Sequence, residues 1–166
     1  MTSLTIRSAQ GAADIELLRE LLREYGEHLT VSLGAENMCM QRYEQEMNTL
    51  PSPYETLLLA FIDEHAAGCV LLKPITGTDD SSADEKACEL KRLWVRPRFR
   101  GFGLGRKLAE TALTEAKWRS YTAVYLDTVP SAMQAAHRMY QELGFHRIER
   151  YNDNPVSQVE FFRRPL

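Results

Sequence analysis

The chain has 166 residues with 44% hydrophobic and 26% charged residues and a formal net charge of −3. That length suits one globular domain with a sizeable core. The mild negative charge gives no drive toward nucleic acid or an anionic membrane, and neither is expected as a partner. Cys39, Cys69 and Cys88 are odd in number and form no CxxC pair, so neither a disulfide framework nor a metal site is expected. With no apolar leader or spanning run, a cytoplasmic location is the expectation.

Residues 3–8 read as a strand. From Gly11 to Leu29, Ile15, Leu18, Leu21, Leu22, Tyr25 and Leu29 recur at helical spacing. A second helix is expected from about Glu36 to Leu50, stopped by Pro51 and Pro53. Residues 54–63 and 67–75 are apolar runs that suggest a buried hairpin turning at Glu64 and His65. Residues 76–86 are polar and acidic and read as a surface loop. Residues 88–95 make a strand whose imperfect alternation calls for a bulge. A helix to about Arg119 and a strand over 122–128 follow. Ser131, with Gln134 three residues on, resembles a capping box opening another helix, which Gly144 would end as a left-handed cap. Two final strands complete the order β-α-α-β-β-β-α-β-α-β-β. The expected fold is α/β (α+β), with a mixed, mostly antiparallel sheet and about four helices.

Between the bulged strand and its helix lies RFRGFGLGRKLAETAL, residues 98–113. Helix starts offer unpaired N–H groups and partial positive charge, and glycines let a ligand approach them. Arg96, Arg98, Arg100, Arg106 and Lys107 surround this loop without an acid among residues 96–107, so a pyrophosphate fits it best. The Walker spacing is absent. The dinucleotide fingerprint fails by one residue, although Asp127 ends the next strand where a ribose-binding acid would sit.

The remaining pattern, Arg-x-x-Gly-x-Gly at Arg100, Gly103 and Gly105, resembles the cofactor loop of the GNAT superfamily of N-acetyltransferases. ELKRLWVRPRFRGFGLGRKLAETAL (89–113) and AAHRMYQELGF (135–145) carry the resemblance. The 88–95 strand with Tyr151–Pro155 resembles a bacterial subgroup whose substrates are mostly unassigned. The resemblance implies acetyl-CoA as acyl donor and no metal. Its pyrophosphate would lie on the amides of Arg100, Gly101, Phe102, Gly103, Leu104, Gly105 and Arg106, and its pantetheine arm along Leu93 and Val95. A backbone N–H there would polarise the thioester, as in an oxyanion hole. Glu89 matches a general-base position and Tyr140 a tyrosine that protonates the leaving thiolate. Val129, Pro130 and Ser131 stand where many members carry an asparagine.

The resemblance implies transfer to the primary amine of a small or amino-acid-like molecule by direct attack. A protein or peptide acceptor, a non-catalytic coenzyme A binding module and a dinucleotide-dependent redox domain are the alternatives, and members often dimerise. Glu89 could instead pair with Lys91 or Arg92, and Tyr140 could be core. His28, His65, His137 and His146 suggest no ligand set, His137 being the one near Tyr140. Trp94 and Trp118 read as packing residues. Glu27, Glu36, Glu44 and Glu46 read as a solvated helix face in preference to an acidic mouth for a cationic amine. Met38, Met40 and Met47 suggest an adaptable apolar lining.

Overall fold

The computed structural model describes residues 1–34, 40–76 and 85–166. Their elements follow the expected order: β1 (Leu4–Ser8), α1 (Gly11–Leu33), α2 (Met40–Thr49), β2 (Thr56–Ile62), β3 (His65–Pro74), β4 (Ala87–Val95), α3 (Leu104–Trp118), β5 (Ala123–Thr128), α4 (Gln134–Glu142), β6 (His146–Ile148) and β7 (Glu160–Pro165). All seven strands share one sheet, ordered β1-β2-β3-β4-β5-β7-β6. Every neighbouring pair is antiparallel except β4 with β5, so the sheet is mixed as expected. The expected start of the second helix at Glu36, with Met38 and Cys39, and most of the 76–86 loop fall outside the described residues.

Alternation across the pleat sorts the core into two layers. One face of the sheet carries Leu58, Val70, Leu72, Leu90, Val124, Leu126 and Phe162, packed against Leu104, Leu108, Ala112 and Ala116 of α3 and Tyr140 of α4. The opposite face carries Leu59, Cys69, Leu71 and Trp94 under Leu18, Leu21 and Leu22 of α1 and Tyr43 and Met47 of α2. α1 runs past the expected Leu29 to Leu33 and stops where Gly34 takes a positive φ of 86°. Asp14 reaches back from its first turns to accept the Gln10 amide at 2.7 Å, and it holds Arg7 of β1 through both carboxylate oxygens. Gly26 lets α2 lie close, because a Cβ there would press on the Tyr43 ring; the Tyr43 hydroxyl donates to the Leu22 carbonyl.

Four expectations need correction. The hairpin turns at Asp63 and Glu64, both at positive φ (46° and 65°), one residue earlier than Glu64 and His65. A two-residue loop of that hand matches the strand twist. α4 starts at Gln134 after Met133, with no side-chain cap, so the capping box from Ser131 does not form. Trp118, expected to pack, is 80% exposed because it ends α3 beyond the sheet. Met47 lies in the core under α1 and does not line the cavity described below. Gly144 behaves as expected. At φ 90° it follows the last turn of α4, and the Phe145 amide reaches back to the Tyr140 carbonyl at 3.0 Å, closing a Schellman-type cap.

Candidate active site

The expected bulge in β4 sits at Arg92. Leu71 faces Lys91 while Cys69 faces Trp94, so β4 carries an extra residue, and Arg92 takes the left-handed φ of 59° to absorb it. Gly68 of β3 follows from this. Its missing side chain leaves room for the Trp94 carbonyl, which a Cβ would strike. Beyond the bulge the Arg96 amide donates to Ala67 of β3 at 2.9 Å. Alternation then turns the N–H groups of Leu93 and Val95 to the other edge, toward β5. That edge is open. β4 and β5 pair only over Ala87–Glu89 with Ala123–Tyr125, and beyond this the two strands diverge.

The arginine-glycine loop borders this opening. After a 3-10 turn over Pro97–Phe99, Gly101 and Gly103 adopt φ of 86° and 74°, and a Cβ on either would meet no atom within 4 Å. Gly103 begins α3 without a side-chain cap, so the first-turn amides Leu104, Gly105 and Arg106 point outward without an intrahelical acceptor. The Arg100 amide is engaged by the Pro97 carbonyl at 3.2 Å. Its side chain braces the loop instead: Nε donates to the Val95 carbonyl at 2.9 Å and the guanidinium lies 4.7 Å above the Trp94 ring. The open cradle therefore begins at Gly101, with Phe102 77% exposed at its tip. The surrounding charge is less free than its sequence suggests. Arg96 is held by Glu20 and Glu24 of α1, and Arg106 by Glu142 of α4. An uncapped helix start, two glycines open to solvent and an unpaired strand edge fit a pyrophosphate with an extended arm.

A cavity of about 560 Å³ passes through the sheet where β4 and β5 part. Leu90, Leu93, Thr128, Val129, Met133 and Tyr140 line it toward α4. Glu89, Lys91 and Arg92 of β4 and Asp127 of β5 line it toward α1, α2 and the 152–156 loop. Glu89 is 6% exposed. It pairs with Lys91 at 2.8 Å, as its structural reading anticipated, while facing the cavity. Asn152 ties the second carboxylate in, donating to Asp127 at 2.7 Å and lying 3.4 Å from Glu89 Oε2. Tyr140 is buried, its hydroxyl has no hydrogen-bond partner among the described residues, and burial pushes its pKa well above the usual phenol value. It therefore stays protonated at neutral pH. The buried thiols of Cys69 and Cys88 are pushed up to about 12, so neither supplies a thiolate nucleophile.

Of the four glutamates read as a solvated face, Glu27 and Glu44 are exposed and Glu36 is outside the described residues. Glu46 departs from that reading. It pairs with Arg92 and accepts the Tyr54 hydroxyl, and Arg92 also lies 4.7 Å over the Tyr43 ring. Helical spacing places Glu46 on α2 but does not show which side meets the bulge. No histidine lines the cavity; His137 pairs with Glu160 at 3.3 Å and packs on Phe162. Asn152 and Arg92 carried no assigned site role in the sequence, and Asp127 carried only that of a ribose-binding acid in the dinucleotide alternative. The acidic end of the 122–128 strand and the Tyr151–Pro155 motif were the available signals for Asp127 and Asn152. Among the described residues no group of three His, Cys, Asp or Glu side chains is placed to hold a metal ion, and no helix is long and apolar enough to cross a membrane.

Known proteins share this fold. A family model described as Acetyltransferase (GNAT) family matches residues 15–145. An uncharacterized N-acetyltransferase of Schizosaccharomyces pombe is 29% identical over 98% of this chain and 94% of its own length. The N-acetylaspartate synthetase of Danio rerio is 37% identical over 52% of this chain but only 29% of that protein. The yncA protein of Salmonella typhimurium, solved with its cofactor acetyl-CoA, superposes with a TM-score of 0.66 at 20% identity, covering 98% of this chain and 93% of its own. The chain belongs to the GNAT family of acetyltransferases.

Proposed function

We propose that this enzyme transfers the acetyl group of acetyl-CoA to the primary amine of a small, amino-acid-like molecule by direct attack, in the cytoplasm. The observation that carries this reading is the cavity through the sheet, which joins the free edge of β4 to a chamber lined by charged side chains under α1 and α2. The name of the N-acetylaspartate synthetase, which makes an acetylated amino acid, agrees with it.

Bound acetyl-CoA supplies an activated thioester. The amides of Gly101 to Arg106 hold its pyrophosphate, and the free edge at Leu93 and Val95 aligns its arm, one amide polarising the thioester carbonyl. Glu89 takes a proton from the acceptor ammonium, directly or through a water, leaving a nucleophilic amine. The nitrogen–carbon bond forms and the carbon–sulfur bond breaks. Tyr140, across the cavity, offers its proton to the departing sulfur, and the second nitrogen proton balances that donation. One proton is released overall. Such catalytic groups contribute roughly 10²–10⁴-fold each.

Calorimetry with acetyl-CoA, followed by thiol release over a panel of amino acids, diamines and peptide N-termini, tests this. Cofactor binding and turnover of small amines are expected. Peptides turned over in preference to every small amine would replace this acceptor class, and binding without any turnover would replace catalysis by storage or sensing.

A further inference from the structure

The geometry points to an acceptor that carries a carboxylate beside its amine, with Lys73 and Arg42 reading the carboxylate. This inference rests on the small-amine reading above and deepens it.

The charges lining the chamber balance in number but cancel one another only in part. Four acids (Glu46, Glu89, Asp127 and Asp153) and four bases (Arg42, Lys73, Lys91 and Arg92) face it. Two bases are consumed by the protein itself, Arg92 by Glu46 and Lys91 by Glu89. Asp127 receives only the neutral amide of Asn152, so its negative charge is not cancelled, and Asp153 is exposed to solvent. Lys73 and Arg42 make no ion pair or hydrogen bond among the described residues. Both are placed by regular structure. Lys73 stands opposite Glu89 in the β3–β4 register, and Arg42 lies one turn before Glu46 on α2.

One cavity thus presents uncancelled negative charge at Asp127, beside Glu89, and two uncommitted cations. An ammonium suits the first and a carboxylate the second. A zwitterion satisfies both, and its amine is then held at the carboxylate that deprotonates it. A diamine would set its second ammonium against Lys73 and Arg42, and like charges in a partly desolvated site repel. A neutral amine would leave both cations unanswered. Charged hydrogen bonds of this kind discriminate by about 10–100-fold.

The test compares kcat/KM for L-aspartate, L-glutamate, L-methionine and β-alanine with that for their carboxamides and for diaminobutane and diaminopentane. At least one amino acid should exceed its carboxamide by about tenfold or more, with the diamines below both. Lys73→Met and Arg42→Met should raise KM for that amino acid about tenfold more than KM for its carboxamide, with kcat changing less than KM. Lys73→Arg should recover part of the loss. Both side chains are partly or fully exposed, so these variants should fold, and unchanged circular dichroism together with an unchanged dissociation constant for acetyl-CoA would show that they do. Equal rates on acid and carboxamide, a preference for diamines, or equal effects of the variants on both acceptors would overturn this inference and the amino-acid-like part of the proposed acceptor, and leave transfer to a small primary amine standing. No turnover of any small amine would overturn both.

Discussion

Replacing Arg92 by Met tests how the bulge and α2 are held together. Arg92 sits at the extra residue of β4, in a left-handed conformation, with its guanidinium paired to Glu46 and stacked on Tyr43. Methionine keeps much of the stem and removes the charge, leaving the Glu46 carboxylate with the Tyr54 hydroxyl alone. Breaking a fully buried pair costs about 3–5 kcal/mol, and an exposed pair about 0–1. The two side chains are 18% and 24% exposed, between those limits. A loss of about 2–3 kcal/mol at pH 7 follows. For a chain of this size that is a fall in Tm of roughly 4–12 °C. The pH dependence has a definite sign. Burial alone would raise the Glu46 pKa, but the Arg92 charge and the hydrogen bonds from Tyr54 and Arg92 hold it below its ordinary value of 4.5. A carboxylate held low stabilises fully above that value, and its contribution is lost as pH falls through the folded pKa. The gap between wild type and Arg92→Met should therefore be largest at neutral pH and shrink below pH 4.5. Urea denaturation followed by circular dichroism at pH 7 and pH 4 measures it. A double-mutant cycle with Glu46→Gln should give a coupling of about 1–2 kcal/mol. A gap below about 0.5 kcal/mol at pH 7, or a coupling near zero, would refute the reasoning.

Other expected outcomes concern the site and its supports. Glu89→Gln should lower kcat by about 10²-fold or more while the dissociation constant for acetyl-CoA, by calorimetry, stays within about threefold. Tyr140→Phe should lower kcat by a similar order, with a smaller loss when the donor carries a better leaving thiol, measured with thioesters of graded thiol acidity. Gly103→Ala places a Cβ beside the uncapped amides at a left-handed position; it should weaken acetyl-CoA binding about tenfold or more and cost roughly 1–2 kcal/mol of stability in urea titrations. Gly68→Ala drives a Cβ into the Trp94 carbonyl and should cost about 1–3 kcal/mol and disturb the bulge, read as a lower Tm and a higher KM for acetyl-CoA.

Local patterns in the chain were enough to place most elements. The helical recurrence of Leu18, Leu21 and Leu22, the apolar runs on either side of Asp63 and Glu64, and the loop between Arg100 and Gly105 are each written within a few neighbouring residues. The same holds for the bulge, because the alternation over residues 88–95 breaks in the sequence itself. Glu89 and Tyr140 were legible through their motifs, and both line one cavity. Trp118 misled because an aromatic at the end of an amphipathic helix reads as packing only while the sheet extends beneath it.

The charge-lined chamber belonged to the tertiary structure alone. Glu46 and Arg92 are 46 positions apart and Asn152 and Glu89 are 63 apart. No periodicity spans such distances. Which charges meet and cancel, and which are left for a ligand, depends on how α2 crosses the bulge and how the 152–156 loop returns over β5. Period and turn chemistry are properties of adjacent residues, so the order of elements can be read along the chain. Charge cancellation acts through space at a few ångströms, so it is decided only once the sheet is assembled and distant side chains line one cavity.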